Sequence, residues 1–329
     1  MLQDLRNRHF SLSFSESSPS VSCALRAKAH WIAALNNLSL FAACVAIWST
    51  TWLAITWQLG PVAPEVSVAW RFLLAALIVA AWCRLRGLSL RLRPAEHAAL
   101  ALMGIAMYSV SYIFVYHAER HIVSGLVAIG YSASPLLSTL GLRLFFGQRI
   151  TARMALGSLF GIGGITLVFW PEFGRLAQNR DVALGALFTV LAALVSTIGG
   201  LLAHRNHQRK LHGWATMAWS MGYGGFAALA IALALGRPLS FEWTPGYVLS
   251  LLYLVALGTI AAFAGWLTLL GRIGAARASY VGVMVPIVAL IISTIFEGLA
   301  WHPLMVIGMA ISVAGNALVL GGAPRGQSR

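Results

Sequence analysis

Ten apolar stretches, each long enough to cross a bilayer, follow one another along this chain. They lie at about 38–59, 65–82, 98–117, 122–142, 154–170, 182–203, 214–235, 246–270, 278–296 and 303–321. A hydrocarbon core about 30 Å thick takes about 20 apolar residues in a helix. Lipid offers no partner to a free backbone N–H or C=O, so only helices and closed barrels span it. These runs are continuous rather than alternating, which selects helices. With 59% hydrophobic and only 10% charged residues, the chain cannot clothe a water-facing surface, where roughly 25% charged is usual. The reading is an all-α integral membrane protein of ten transmembrane helices.

A net charge of +14 suits a nucleic-acid binder only if the basic residues share one solvated face, and here they sit between the apolar runs. Placing the amino terminus in the cytoplasm puts 18 of the 23 Lys and Arg on the inner side. Four fall outside (Arg120, Arg175, Arg180 and Arg237), and Arg71 lies within a span. Cytoplasmic loops attract Lys and Arg, so this skew predicts both termini inside and localisation to the inner, cytoplasmic membrane of a bacterial-type cell. Residues 1–37 are Ser-rich and basic and lack the apolar core and cleavage site of a secretory signal. They read as a disordered cytoplasmic tail, with a second tail over 322–329. Cys23, Cys44 and Cys83 fit no disulfide framework or metal spacing and read as incidental thiols.

Displacing the sequence by 151 residues superposes its halves: Pro135 falls on Pro286, Phe145 on Phe296, Gly157 on Gly308, Gly164 on Gly315 and Tyr112 on Phe263. Five helices per half is an odd number, so the second half enters the membrane from the opposite side. Two inverted five-helix repeats are expected, 38–170 and 182–321, joined by a periplasmic loop over 171–181. Such a pair suits alternating access, with a substrate site near the midplane.

On these residues the chain resembles the drug/metabolite transporter superfamily, specifically its EamA-like ten-helix members. The resembling features are WSTTWLAI (48–55), P-x-x-x-x-x-WRFLLAAL (64–77), and the proline-centred fourth and ninth helices. Each proline helix is followed by a glycine-bearing partner, GSLFGIGG (157–164) and GMAISVAGN (308–316). The resemblance covers about 38–321 and implies metabolite export, with amino acids and related compounds the commonest substrates. One position departs: Gln148 in FGQRIT stands where members often carry a glutamate, whereas Glu297 in FEGLAW is acidic as in the family.

Candidate cavity residues follow from polar or aromatic side chains at mid-span. Trp48, Thr51, Trp52 and Ile55 share one face of the first helix by i, i+3, i+4, i+7 spacing. Tyr108, Tyr112 and Tyr116 recur every four residues in the third, where phenols need partners or a wet cavity. Tyr131, Ser134 and Ser138 flank Pro135, with Ser124 further up that helix; Ser196 and Thr197 lie in the sixth helix, and Thr259 and Phe263 in the eighth. For each of these, packing between helices competes with cavity lining. Pro135 and Pro286 each free a carbonyl that must find a partner or a polar cavity. Gly157, Gly161, Gly164, Gly308 and Gly315 read as close-packing surfaces between helices. His204 and His207 run into a basic loop, so no metal site is expected, and no cofactor.

Glu65, Glu119 and Glu297 fall at outer helix ends and none at mid-membrane, which gives no support to proton coupling, although an outward vestibule leaves Glu65 or Glu119 free to titrate. Arg71, six residues from Glu65, lies about 9 Å below the outer end of its helix, within snorkelling reach of the interface. Its expected partners are carbonyls or hydroxyls on another helix, or a polar vestibule. The resemblance implies a structural or gating role, grouped with Glu65, Glu297 and the two prolines, and direct binding of an anionic substrate is the alternative. The reading is a secondary transporter of a small-molecule substrate in the lipid bilayer, monomer or homodimer, without nucleic acid. A carrier of lipid-linked or drug-like solutes is the alternative within transport; a scaffold or membrane enzyme is the alternative outside it. Nine acidic residues without a clustered nucleophile motif argue against an enzyme.

Overall fold

Each apolar run becomes a helix, and half of them begin on a residue suited to a first turn. The computed structural model describes residues 36–147, 149–176, 180–209, 211, 213–273, 278 and 280–321; Gln148 and most of both tails lie outside these. Helix α1 (Asn37–Thr56) opens where the Asn36 side chain accepts the Ser39 amide at 2.8 Å. Proline lacks the N–H that a first turn leaves unbonded. It opens α2 (Pro64–Leu85), α3 (Pro94–Glu119), α8 (from Pro245) and α10 (Pro303–Gly321). The others are α4 (Ser124–Tyr131, then Ser134–Phe146), α5 (Ala152–Leu176), α6 (Arg180–Gln208), α7 (Trp214–Ala234) and α9 (Tyr280–Phe296). Eight carry apolar spans of at least 18 residues; α9 and the apolar part of α10 are shorter. This is a ten-helix membrane protein. One boundary moves: α5 continues to Leu176 and α6 starts at Arg180, so much of 171–181 is helix rather than loop.

The internal repeat is visible in three independent features. Helix α1 packs on α8 and α9 as α6 packs on α3 and α4, while α2 meets α7 and α5 meets α10. Gly147 ends α4 and Gly298 follows α9, both left-handed, with φ of 65° and 69°; that conformation suits glycine, which has no Cβ to clash. A π-helical stretch interrupts α3 at Ala106–Val110, and another interrupts α8 at Leu254–Ala261, the corresponding place. Such insertions gather at functional sites because they rotate the side chains that follow.

The glycines of α5 and α10 let these two backbones touch. A methyl group on Gly157 would stand 2.7 Å from the Gly315 carbonyl oxygen, and one on Gly164 would overlap the Gly308 carbonyl and the Ser312 amide. Gly308 and Gly315 face back onto Gly164 and Gly161 equally tightly. Gly161 also receives the Leu136 side chain from α4. Without a hydrophobic drive between helices in lipid, such close van der Waals packing is what holds the pair.

Candidate functional site

A cavity of about 370 Å³ lies between the halves, lined by three helices from each: α1, α3 and α4, and their counterparts α6, α8 and α9. The first half supplies the bulk. Trp48, Thr51, Trp52 and Ile55 come from α1, Met107, Tyr108, Tyr112 and Val115 from α3, and Tyr131, Ser132, Ser134 and Ser138 from α4. The second half supplies mainly small groups, namely Ser196, Gly200, Gly282, Val285 and Pro286, together with Phe263. Tyr112 and its repeat counterpart Phe263 both line the space, and Tyr131 faces it where its counterpart is Gly282. The wall is thus aromatic and hydroxylic on one side and open on the other. Among the described residues, none that lines it is Asp, Glu, Lys, Arg or His.

The aromatic side is a connected lattice. Trp48 meets Phe263 edge-on at 5.5 Å between centroids and donates its indole N–H to the Gly258 carbonyl at 3.2 Å. Trp52 meets Tyr131 at 5.4 Å, and Phe72 stands behind Tyr112 at 4.9 Å and Tyr108 at 5.3 Å. The Tyr131 hydroxyl pairs with Ser111 at 3.2 Å. The hydroxyls of Tyr108 and Tyr112 and the Trp52 indole N–H have no partner among the described residues, which leaves them for a ligand.

Helix α4 breaks at Ser132 and Ala133, immediately before Pro135. The proline removes the donor for the Tyr131 carbonyl, and the Ser134 hydroxyl takes that role at 2.8 Å. Helix α9 stays continuous through Pro286, which leaves the Gly282 carbonyl without its helical donor at the cavity wall. Two expected lining residues are not there. Thr197 bonds back to the Ala193 carbonyl at 2.8 Å and to Ser134 at 3.3 Å. Thr259 turns to Arg71. Tyr116, third in the tyrosine stripe, is fully buried and donates to Gln58 at 2.6 Å.

Arg71 does not snorkel. It is 2% exposed, with Nε and Nη2 at 3.4 and 3.5 Å from the Thr259 hydroxyl, and its Cζ lies 4.7 Å from the Tyr112 ring centroid. The face of Tyr112 turned from the cavity is therefore covered by a cation, and α2 is tied to α8 of the other half. Aromatic surface inside the bundle gives the guanidinium a favourable seat that the lipid-facing side of α2 lacks.

Beyond the cavity, at the end where α1, α3 and α9 finish, the halves close on one another. The Glu297 carboxylate accepts the Ser124 amide at 3.0 Å, the Ser124 hydroxyl at 2.5 Å, and the Ser293 hydroxyl. The Gly125 amide donates to Ser293 at 2.7 Å, and a methyl group on Gly125 would stand 3.0 Å from the Leu290 Cα. A carboxylate thereby caps the first turn of α4, where free N–H groups and the helix dipole favour negative charge. Glu65, 2% exposed rather than in a vestibule, bonds His117 at 2.8 Å, with Arg237 3.9 Å away. Glu297→Ala is expected to loosen this clasp by about 1.5–3 kcal/mol, the usual worth of hydrogen bonds to a charged group. Hydrogen exchange should then quicken at the Ser124 and Gly125 amides while the α5 and α10 seam is unchanged.

Among known proteins, the model of the EamA-like transporter family matches residues 36–170 and again 183–321. An uncharacterized transporter of Archaeoglobus fulgidus is 25% identical over 281 residues, covering 85% of this chain and 95% of the relative. The uncharacterized inner membrane transporter YedA of Escherichia coli K12 is 26% identical, covering 83% and 90%. A probable terminal-alkyne amino-acid exporter of Streptantibioticus cattleyicolor is 24% identical, covering 70% and 75%. A solved protein structure superposes with a TM-score of 0.62 at 18% identity, covering 86% of this chain and 95% of the other, a likeness of fold alone.

Proposed function

The chain belongs to the EamA-like transporter family, and from that premise we propose that this multi-pass membrane transporter exports a small amino-acid-like metabolite by alternating access. The observation that carries the proposal is the central cavity, framed by corresponding helices of two halves that exchange equivalent contacts. In one state the solute enters at the end where α9 begins, since the opposite end is closed by Glu297 and Ser124. In the other state the halves rock, the clasp parts, and the solute leaves. Ligand and cavity must bind comparably in both states, because a ligand shifts conformations only through differential affinity.

The wall chemistry supports a solute without net charge, because no ionised side chain lines the cavity. A zwitterion meets both of its needs there. The hydroxyls of Ser132, Ser134 and Ser138 already donate to helix carbonyls, so the unpartnered hydroxyls of Tyr108 and Tyr112 and the Trp52 indole N–H are the donors that suit a carboxylate. The Gly282 carbonyl, lacking its helical donor, suits an ammonium group. Aromatic faces of Trp48, Trp52 and Tyr112 receive an apolar side chain. The relative named as a probable amino-acid exporter supports the same class. The basic-residue skew supports cytoplasmic termini, so that the closed end faces outward.

The test is a thermal-shift screen of amino acids and drug-like amphiphiles against the purified protein, followed by counterflow of each hit in proteoliposomes. Gly200→Trp supplies the control, because a Cβ at Gly200 meets only the Ser138 hydroxyl, at 3.7 Å, and the added ring projects into the cavity. Flux is expected to fall to background while the melting temperature stays near wild type. Undiminished flux in Gly200→Trp would refute the cavity as the route. Hits confined to amphiphiles would replace the amino-acid class with drug-like solutes.

A further inference from the structure

Three carboxyl groups gather around the closed end, Glu65 and Glu119 buried and Glu297 half-buried, and two of them are accounted for. Glu297 receives three donors and Glu65 receives His117. Glu119, the last residue of α3, is 7% exposed, and neither of its oxygens has a hydrogen-bond partner. Among the described residues it is the one buried carboxyl with both oxygens unbonded. We propose that Glu119 is a proton-binding site of this transporter, occupied while that end is closed and emptied when it opens. The inference rests on the transport reading for its purpose, although the site itself is argued from geometry.

An ionised carboxylate offers about four acceptor positions, and burying it without donors is far costlier than burying the neutral acid. The surroundings decide the rest. Just past the end of α9, Glu297 spends its carboxylate on Ser124 and Ser293 and offers no donor. From α2, Arg71 carries donors, but its hydrogen bonds go to Thr259 and its face to Tyr112, with Nη1 left unbonded. Glu65, also on α2, is engaged by His117. From α6, Asp181 is paired with His121 at 3.0 Å. From α4, Tyr131 bonds Ser111, and on α3 itself Tyr116 donates to Gln58. Two buried donors, Arg71 Nη1 and Gln58 Nε2, stay unbonded, and no neighbour donates a hydrogen bond to Glu119 in the closed state.

Opening separates α4 from α9 and wets the end of α3, so Glu119 gains water as a donor and releases its proton to the solution on that side. Closing takes a proton up from the same solution. The closed state binds the proton more tightly, so lowering the pH favours closure and raising it favours opening. Protons on the outer side thus act on the outward-opening step, a coupling that uses no charged group in the cavity.

The experiment measures distance between spin labels across this end and needs neither substrate nor flux. Labels go on Arg120→Cys and Ala300→Cys, both exposed, with Cys23, Cys44 and Cys83 replaced by Ala. With the wild-type Glu119, a longer-distance population is expected to grow from acid to alkaline pH. Glu119→Gln, a neutral mimic of the protonated acid, should hold the short distance at every pH. His117→Gln, which keeps a donor for Glu65, should retain the wild-type response. A distance independent of pH with Glu119 present overturns the proposal, as does a response that survives in Glu119→Gln or vanishes in His117→Gln. A response to sodium at fixed pH would assign the site to a metal cation and overturn it equally. Should Glu119→Gln fail to fold, Glu119→Asp replaces it, and the transition must then move along the pH axis. Absence of solute flux with the pH response intact would sink the transport reading alone.

Discussion

Gly164→Val is expected to destroy the folded protein in detergent, whereas Gly163→Ala, one residue away, leaves it intact. A Cβ at Gly164 overlaps the Gly308 carbonyl and the Ser312 amide, backbone atoms that no rotamer change can move aside. The helices must part, and the van der Waals contact along the α5 and α10 seam is lost with them. Overpacking of a core commonly costs about 1–3 kcal/mol, and a branched side chain against backbone belongs at or above the upper limit. Gly163 is exposed, with nothing within 4 Å of a Cβ, so alanine there removes glycine's helix penalty of about 0.5–1 kcal/mol. Gly161→Ala falls between, because much of what it meets is the mobile end of Leu136, although Gly315 is also close. Thermal melting of the three variants checks the order. Equal melting temperatures for Gly164→Val and wild type would remove this seam from the account.

The ten helices and their repeat were legible because lipid imposes a length and an apolar composition that a sequence cannot disguise. Much of the cavity wall was legible for a related reason: Trp48, Trp52, Tyr108 and Tyr112 are costly at mid-bilayer unless turned inward. Two of the misses, Thr259 and Tyr116, share a cause in helical phase. The π-helical stretches in α3 and α8 leave no mark in hydropathy, yet they rotate what surrounds and follows them. Thr259 lies inside one and turns to Arg71; Tyr116 follows the other and turns away from the cavity. Met107, Val115 and Gly282 line the wall without signal, because an apolar or small residue facing a cavity reads like one facing lipid. Pro135 and Pro286 looked equivalent but differ in outcome. Ser134 captures the carbonyl at the break in α4, and its counterpart in α9 is Val285, which has no hydroxyl to offer.

The burial of Glu119 and the engagement of Glu297 were hidden for another reason. Position at a helix end says how deep a residue sits, not whether a neighbouring helix covers it. The approach of α4 to α9, permitted by Gly125 against Ser293 and Leu290, brings Glu297 onto the first turn of α4, while Glu119 is buried at 7% exposure.

Arg71→Lys is expected to lower transport of every solute in parallel by about tenfold or more and to reduce the melting temperature by several degrees. A desolvated cation over an aromatic face contributes about 2 kcal/mol, and the planar guanidinium lies over Tyr112 while reaching Thr259. A lysine ammonium is compact and strongly hydrated, and it cannot satisfy both contacts from one position. Keeping its charge in this site costs several kcal/mol, and shedding the proton forfeits the attraction to Tyr112. Arg71→Met removes the charge and keeps an apolar body of similar reach, so its melting temperature should lie nearer wild type than that of the lysine variant. Transport should nevertheless fall in both, since both lose the tie between α2 and α8 that links the two halves. The order of stability, Met above Lys, is what separates a desolvated structural cation from a charge held by solvent at the interface. A snorkelling arginine would tolerate lysine and not methionine. Loss of acidic solutes alone in Arg71→Lys, with neutral ones spared, would make the guanidinium a ligand instead of a tie.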